Sequence, residues 1–383
     1  MRFLLLAVSI LLFSYCFSQS TYYVQPNETD AGYAFSQDSH AVTLPGIPEV
    51  NKLFLFIGGT NSNTSQYIAL RNFAANLGYH VINLSYPNDV AAASLSGSSD
   101  NLAFDNFRQE ICYGTPLSSA VSVDTLNSIY TRTLRLIQHL STNQPGENWG
   151  QFLQSSNAID WSKVITGGHS QGSGHASYLS KQYPVERVLM FSGPNDYSDF
   201  FAGGANWLGS PGTTSTGRHF VYLSLYDEVV DFSKQFTNIE TIGMLDNDDT
   251  TLVDISSPPY GNSHCLYTKQ SPGFVLLNHN TPVKNSIIND AVWEYMLSTP
   301  LIAGITENDS PEIIVYPNPT SQSLFIESSE QISEWTIYAL NGQILLSGDY
   351  LPEEISLNYL PTGSYIIELK GNSSSYRKML IKK

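Results

Sequence analysis

The sequence predicts an α/β body, a mostly parallel sheet with helices on both faces, followed by a small all-β sandwich. Three observations carry this. Over residues 22 to about 300, apolar strand-like runs alternate with segments of helical period. Over residues 310–383 only short strand candidates occur, separated by turn signals. One strand-to-helix transition in the first region carries a serine between glycines. The expected organisation is a leader over 1–20, the α/β body over 21–303, a linker over 304–311 and the sandwich over 312–383.

Lys52 to Ile57 reads as a buried strand ending in Gly58-Gly59, and His80 to Leu84 as another; Tyr67 to Leu77 carries helical spacing between them. A polar excursion, Asn88 to Ser122, precedes a long amphipathic helix marked by Leu126, Ile129, Thr133, Ile137 and Leu140. Lys163 to Thr166 is then a strand, Ser173 to Gln182 a helix, and Arg187–Phe191 with His219–Leu223 complete the central strands. Thr251 to Ile255 is expected as the last strand, and Ser286 to Leu297 as the final helix. Such runs, apolar on both faces, belong to a sheet covered on both sides.

At 383 residues with 42% hydrophobic and 12% aromatic content, the chain exceeds one ordinary domain and can build a large core. Eighteen Lys and Arg against 34 Asp and Glu give a net charge of -16, which repels phosphate backbones and anionic lipid, so nucleic acid is excluded as a partner. Arg2 followed by the apolar run Phe3 to Phe13 reads as a secretory signal; a lipid anchor at Cys16 is the weaker alternative, because Ser14-Tyr15 lacks the small residues expected before it. No later run reaches the roughly 18 apolar residues of a membrane helix. Beyond the leader only Cys112 and Cys265 remain, and whether they pair is open.

Gly168-His169-Ser170-Gln171-Gly172 fits G-x-S-x-G directly after a strand and before a helix. The chemistry needs a sharp turn that lifts the Ser170 hydroxyl clear of the sheet, and flanking glycines remove the Cβ clashes of so tight a bend. The helix start aims free N–H groups at developing negative charge, making Gln171 N–H one oxyanion donor and, from the loop after Ile57-Gly58-Gly59, Thr60 N–H the other. A hydroxyl is a weak nucleophile until a base takes its proton, and the imidazole needs a carboxylate to fix its tautomer. Asp227, just past the strand His219–Leu223, is the expected acid, with Asp231 and Asp196 as alternatives. His264, following Thr251–Ile255 through a loop, is the expected base, and His279, after Phe274 to Asn278, is the alternative. His169 and His175 are assigned to helix packing or substrate contact. Neither an H-E-x-x-H spacing nor a dinucleotide glycine fingerprint occurs, so no metal and no cofactor are expected.

These residues resemble the α/β-hydrolase superfamily. The runs Tyr86-Pro-Asn-Asp89, Gly168 to Gly172 with Gly174-His175-Ala176, Phe191-Ser-Gly-Pro-Asn-Asp196 and Ser263-His264 with Leu266 resemble a group of secreted bacterial serine hydrolases. The resemblance implies a Ser-His-Asp mechanism carried by Ser170, His264 and Asp227, and more cysteines in the excursion than the single Cys112 present here. The expected activity is hydrolysis of a carboxylic ester, in a small molecule or a polymer. A peptidase of the same fold and an inactive surface-displayed binding protein are the alternatives. The excursions Asn88–Ser122 and Tyr197–Gly217 are expected to border the pocket. In the tail, Tyr316-Pro-Asn-Pro319, the Asn341-Gly342 hairpin signal, Leu360-Pro-Thr-Gly-Ser-Tyr-Ile-Ile367 and Lys382-Lys383 resemble the C-terminal sorting domain of the type IX secretion system of Bacteroidetes. That implies the type IX machinery as a partner and a secreted or cell-surface location.

Overall fold

The computed structural model describes residues 20–382 except 34–37, 246–249, 272–276, 302–312, 318–319, 329–330, 340–342, 353 and 372–374. The leader, the linker, most of the Phe274–Asn278 run and the Asn341-Gly342 turn therefore lie outside the described residues.

The body is built on a nine-stranded sheet. In chain order its strands are β1 (Thr21–Val24), β2 (His40–Thr43), β3 (Leu53–Ile57), β4 (His80–Leu84), β5 (Val164–His169), β6 (Arg187–Phe191), β7 (His219–Ser224), β8 (Thr251–Leu252) and β9 (Cys265–Thr268). Their spatial order is β1-β2-β4-β3-β5-β6-β7-β9-β8. From β4 to β8 every pairing is parallel, and only β1 and β2 run antiparallel at one edge.

Alternate residues of each strand enter different cores, as a period of two requires. Leu53, Leu55, Ile57, Val188, Met190, Val221 and Leu223 face helices α2 (Ala103–Tyr113), α3 (Ile129–Asn143), α4 (Gln171–Gln182) and α5 (Phe232–Ile242). Phe54, Phe56, Ile165, Leu189, Phe220 and Tyr222 face α1 (Ile68–Asn76) and α6 (Ile287–Ser298) through Leu70, Ala74, Trp293 and Met296. Helices on both faces of a mostly parallel sheet make this the α/β body that the sequence predicts. Helix starts follow local chemistry: the hydroxyl of Ser128 accepts from Thr131 N–H, Asp231 from Ser233 N–H and Ser286 from Asn289 N–H.

Two elements differ from the sequence expectation. The polar excursion holds α2, whose amphipathic pattern is masked because Arg108 and Glu110 are buried along with Phe107 and Ile111. Thr251–Ile255 is a two-residue edge strand running into a single helical turn, while the last full strand is Cys265–Thr268, hydrogen-bonded in register with Val221–Ser224. Cys112 and Cys265 are both buried and no disulfide joins them.

In the tail, β10 (Ile313–Tyr316), β11 (Ser323–Ser328) and β14 (Ile355–Ser356) form one antiparallel sheet. The strands β12 (Glu334–Ala339), β13 (Ile344–Gly348), β15 (Gly363–Lys370) and β16 (Ser375–Lys382) form another, in the order β13-β12-β15-β16. Val315, Leu324, Ile337, Ile355, Ile367 and Leu380 meet in one core. No helix among the described residues is long and apolar enough to cross a membrane.

Candidate functional site

The β5-to-α4 turn places Ser170 at φ 57°, ψ −123°, outside the regions that L-residues prefer. Only glycine fits beside it. A Cβ on Gly168 would come within 2.1 Å of Gly172 O, and one on Gly172 within 2.0 Å of Ile57 O, so both flanks touch main chain that cannot give way. Gly59 N–H donates to the Tyr67 hydroxyl at 2.9 Å. Thr60 therefore supplies the loop's next N–H, and Gln171 N–H stands ahead of the α4 ladder. Gln171 Oε1 accepts from Thr60 Oγ1 at 3.0 Å and Ala92 N–H at 2.8 Å, tying the β3 loop, the elbow and the excursion together.

Asp227 sits past the end of β7. Its Oδ1 accepts from Val229 N–H (2.9 Å) and Val230 N–H (3.0 Å), and its Oδ2 from Gln235 Nε2 (2.8 Å) and His279 Nδ1–H (2.6 Å). Burial raises the pKa of this carboxyl, but the hydrogen bond and charge of His279 and the donors Val230 N–H and Gln235 outweigh it, leaving the group below its usual value. His279 is itself buried, and its Nε2 has no hydrogen-bond partner among the described residues. Its main chain is held by Glu228, whose two carboxylate oxygens accept from Asn278 N–H (2.8 Å) and His279 N–H (3.1 Å).

The structure thus brings Asp227 to His279, the alternative base, and places His264 elsewhere. His264 O accepts from Val221 N–H at 2.8 Å, so the residue lies at the entry of β9, level with Phe220 near the start of β7, and its ring stacks on Phe220 at 4.0 Å. Asp227 lies past the opposite end of that strand. The reason is the strand assignment: with β9 as the last strand, the histidine beyond its C-terminal end is His279. The other two acids are also occupied. Asp231 caps α5, and Asp196 forms a fully buried ion pair with Arg108 of α2. Arg108 Nε donates to Asp196 Oδ2 at 2.9 Å, its second nitrogen to Oδ1, and its third to Gln171 O at 2.7 Å; Trp207 Nε1 completes the carboxylate at 2.7 Å.

Ser170, His279, Thr60 and Gln171 line one cavity of about 320 Å³. Ala91, Ala92 and Ala93 of the first excursion form part of its wall, and Val229 and Leu277, each about half exposed (49% and 50%), form its rim. No residue of Tyr197–Gly217 lines it. That excursion packs behind the first instead: Asp199 N–H donates to Ser96 O and Asn206 Nδ2 to Asn101 O.

Asn195 was given no role in the sequence, and His169, expected there in helix packing or substrate contact, is held at both ring nitrogens. Asn195 Nδ2 donates to Ser170 Oγ at 3.2 Å, while its buried Oδ1 has no partner among the described residues; its signal was a polar residue just past a central strand. His169, the neighbour of Ser170, donates or accepts at both ring nitrogens, to Tyr67 Oη (3.1 Å) and His279 O (3.1 Å), and burial chiefly lowers its pKa to about 3. His175 packs between Tyr86 and Phe107 beside Cys112, whose thiol burial raises to about 12. No group of three metal-ligating side chains occurs among the described residues.

Residues 314–383 match the family described as the secretion system C-terminal sorting domain. The tail is accordingly a sorting domain of the kind that marks proteins for export through the type IX system to the cell surface or the extracellular space. A structure titled as that of TT1662 from Thermus thermophilus is similar at 14% identity and a TM-score of 0.33, covering 74% of this chain and 100% of its own. No curated protein matches the sequence.

Proposed function

We propose that the protein is a secreted serine hydrolase acting on uncharged carboxylic esters, with Ser170 as nucleophile, His279 as base and Asp227 as the carboxylate that orients it. The observation that carries this is the 2.6 Å pair of His279 Nδ1 and Asp227 Oδ2, whose other ring nitrogen is left unpaired in the cavity that Ser170 enters from its strained turn. Asp227 holds the proton on Nδ1, so the lone pair is on Nε2, where the Ser170 proton must go. Ser170 Oγ attacks the ester carbonyl; the proton passes to His279; the developing oxyanion is met by Thr60 N–H and Gln171 N–H. His279 then gives its proton to the leaving alcohol, and water repeats the sequence to free the acid.

The lining supports a neutral ester over an exopeptidase substrate. Among the described residues the lining holds no Asp, Glu, Lys or Arg; besides His169, His279 and Tyr67 it is made of residues such as Ala91, Asn195, Val229 and Asn280. A chain-terminal amine or carboxylate would enter with no counter-charge, which a low-dielectric site penalises. The test is a fluorophosphonate label on the folded full chain, with p-nitrophenyl esters and matched anilides of neutral and charged acyl groups. A Ser170 adduct with turnover of neutral esters is expected. No adduct sinks the hydrolase reading, and anilide turnover that exceeds ester turnover sinks the ester reading.

A further inference from the structure

The hydrogen bonds beside the elbow have one consistent direction. Gly59 N–H can only donate, so Tyr67 Oη accepts from it; and because the neutral ring of His169 must present its one N–H to the carbonyl it faces, Nδ1 accepts the Tyr67 proton. That leaves the His169 proton on Nε2, facing His279 O, which can only accept. Ser192 Oγ donates to the same carbonyl at 2.7 Å, so both of its lone pairs are used. Every member of this chain is buried: Tyr67, His169, Ser192 and His279. The Gly59 end is the loop that carries Thr60, and the His279 end is the loop that carries the base.

We infer that His169 is a positioning residue: with Tyr67 it locks the main chain of His279 to the Gly59–Thr60 loop, so that base and oxyanion donor are held at a fixed separation across Ser170. The functional part of this rests on reading His279 as the base; the locking itself does not. The alternative roles for His169 are poorly served. Both its ring nitrogens are already engaged, so it offers nothing further to a substrate, and its ring lies 4.9 Å from that of His279 without a hydrogen bond between the two side chains. A displaced base costs rate and not affinity, because the ester is bound by the cavity wall while the reaction depends on the reacting atoms being in line.

The experiment compares the full-length wild type with His169→Gln, His169→Leu and Tyr67→Phe. Glutamine places an amide N–H near the Nε2 position and can still donate to His279 O; leucine cannot. Two readouts are taken: ester kinetics, and the low-field proton NMR signal of His279 Nδ1–H in its short bond to Asp227. The expected result is a roughly 10- to 100-fold fall in kcat for His169→Leu at KM within about twofold, with most of it restored in His169→Gln. The Nδ1–H signal should be sharp in wild type and His169→Gln and broadened in His169→Leu. Should His169→Leu fail to fold, Tyr67→Phe stands in, since it keeps the ring and removes the hydroxyl that joins the two loops; a broadened signal and a kcat loss are expected there. An unchanged signal in either variant overturns the locking, as does a loss confined to KM. A wild type that neither turns over esters nor takes the phosphonate, yet shows the signal pattern above, overturns the hydrolase reading and leaves the locking standing.

Discussion

Asp227→Asn isolates the role given to the carboxylate, because it changes one atom. The asparagine Oδ1 can still accept from Val229 N–H and Val230 N–H, leaving its amide group toward Gln235 Nε2 and His279 Nδ1. There it donates to Nδ1 and forces the ring proton to Nε2, the atom that must accept from Ser170. Flipping the amide sets its N–H groups against those of Val229 and Val230, so no rotamer restores the tautomer. The cost expected is about 10⁴-fold in kcat, or about 5.5 kcal/mol at about 1.4 kcal/mol per tenfold. The assay is p-nitrophenyl ester turnover by the full chain, with a melting curve to show that the variant is folded. A folded Asp227→Asn within tenfold of wild type would refute the reasoning. Asp231→Asn serves as the control: it alters only a helix cap and should leave kcat alone.

His279→Ala should lose on the order of thousands-fold in turnover, whereas His264→Ala should keep its turnover and lose stability through the missing stack on Phe220; equal losses in ester assays would contradict the placement of the base. Arg108→Met strands the Asp196 carboxylate in the core and should cost about 3–5 kcal/mol in urea unfolding, with Arg108→Met/Asp196→Asn recovering part of it; no measurable loss would show the ion pair to be dispensable. Burial chiefly lowers His40 and His169 to about 3 and His219 to about 4, so the folded chain refuses protons that the unfolded chain binds at about 6.5. Their stabilising effect is complete above that pH and is lost as pH falls toward the folded values, about 1.4 kcal/mol per pH unit for each ring. Melting temperature should therefore drop between pH 6.5 and 4.5. His40→Asn, which keeps an acceptor for Ser85 N–H, should flatten the slope by about one proton, and an unchanged slope would count against it.

What the sequence disclosed was what is encoded locally. The elbow is legible because its strained serine and both of its glycines fall within five residues, and the alternating strands and helices because both faces of the sheet are apolar. The proposed base was not legible. Cys265-Leu-Tyr-Thr268 is four residues with weak strand character, and it becomes the last strand only through its pairing with Val221–Ser224, a contact between residues over forty positions apart. The apolar run Thr251–Ile255 looked the better strand, which made His264 the first histidine after it. Asn195 and Glu228 escaped for a related reason: each acts through a partner brought near by the sheet. Arg108 escaped because a guanidinium in a core has no signature until the carboxylate it meets is known.

That guanidinium has a consequence for how the cavity is entered. One cation grips Asp196, on the stretch after β6, and the carbonyl of Gln171, the residue whose N–H is the proposed oxyanion donor, while Gln171 in turn holds Ala92. The wall over Ser170 is therefore bolted to the residue proposed to donate to the oxyanion, and it cannot swing aside as a hinged flap without dismantling the proposed site. Progress curves on dispersed and aggregated esters should both start without a lag, as befits a rigid doorway on the proposed hydrolase once it is outside the cell.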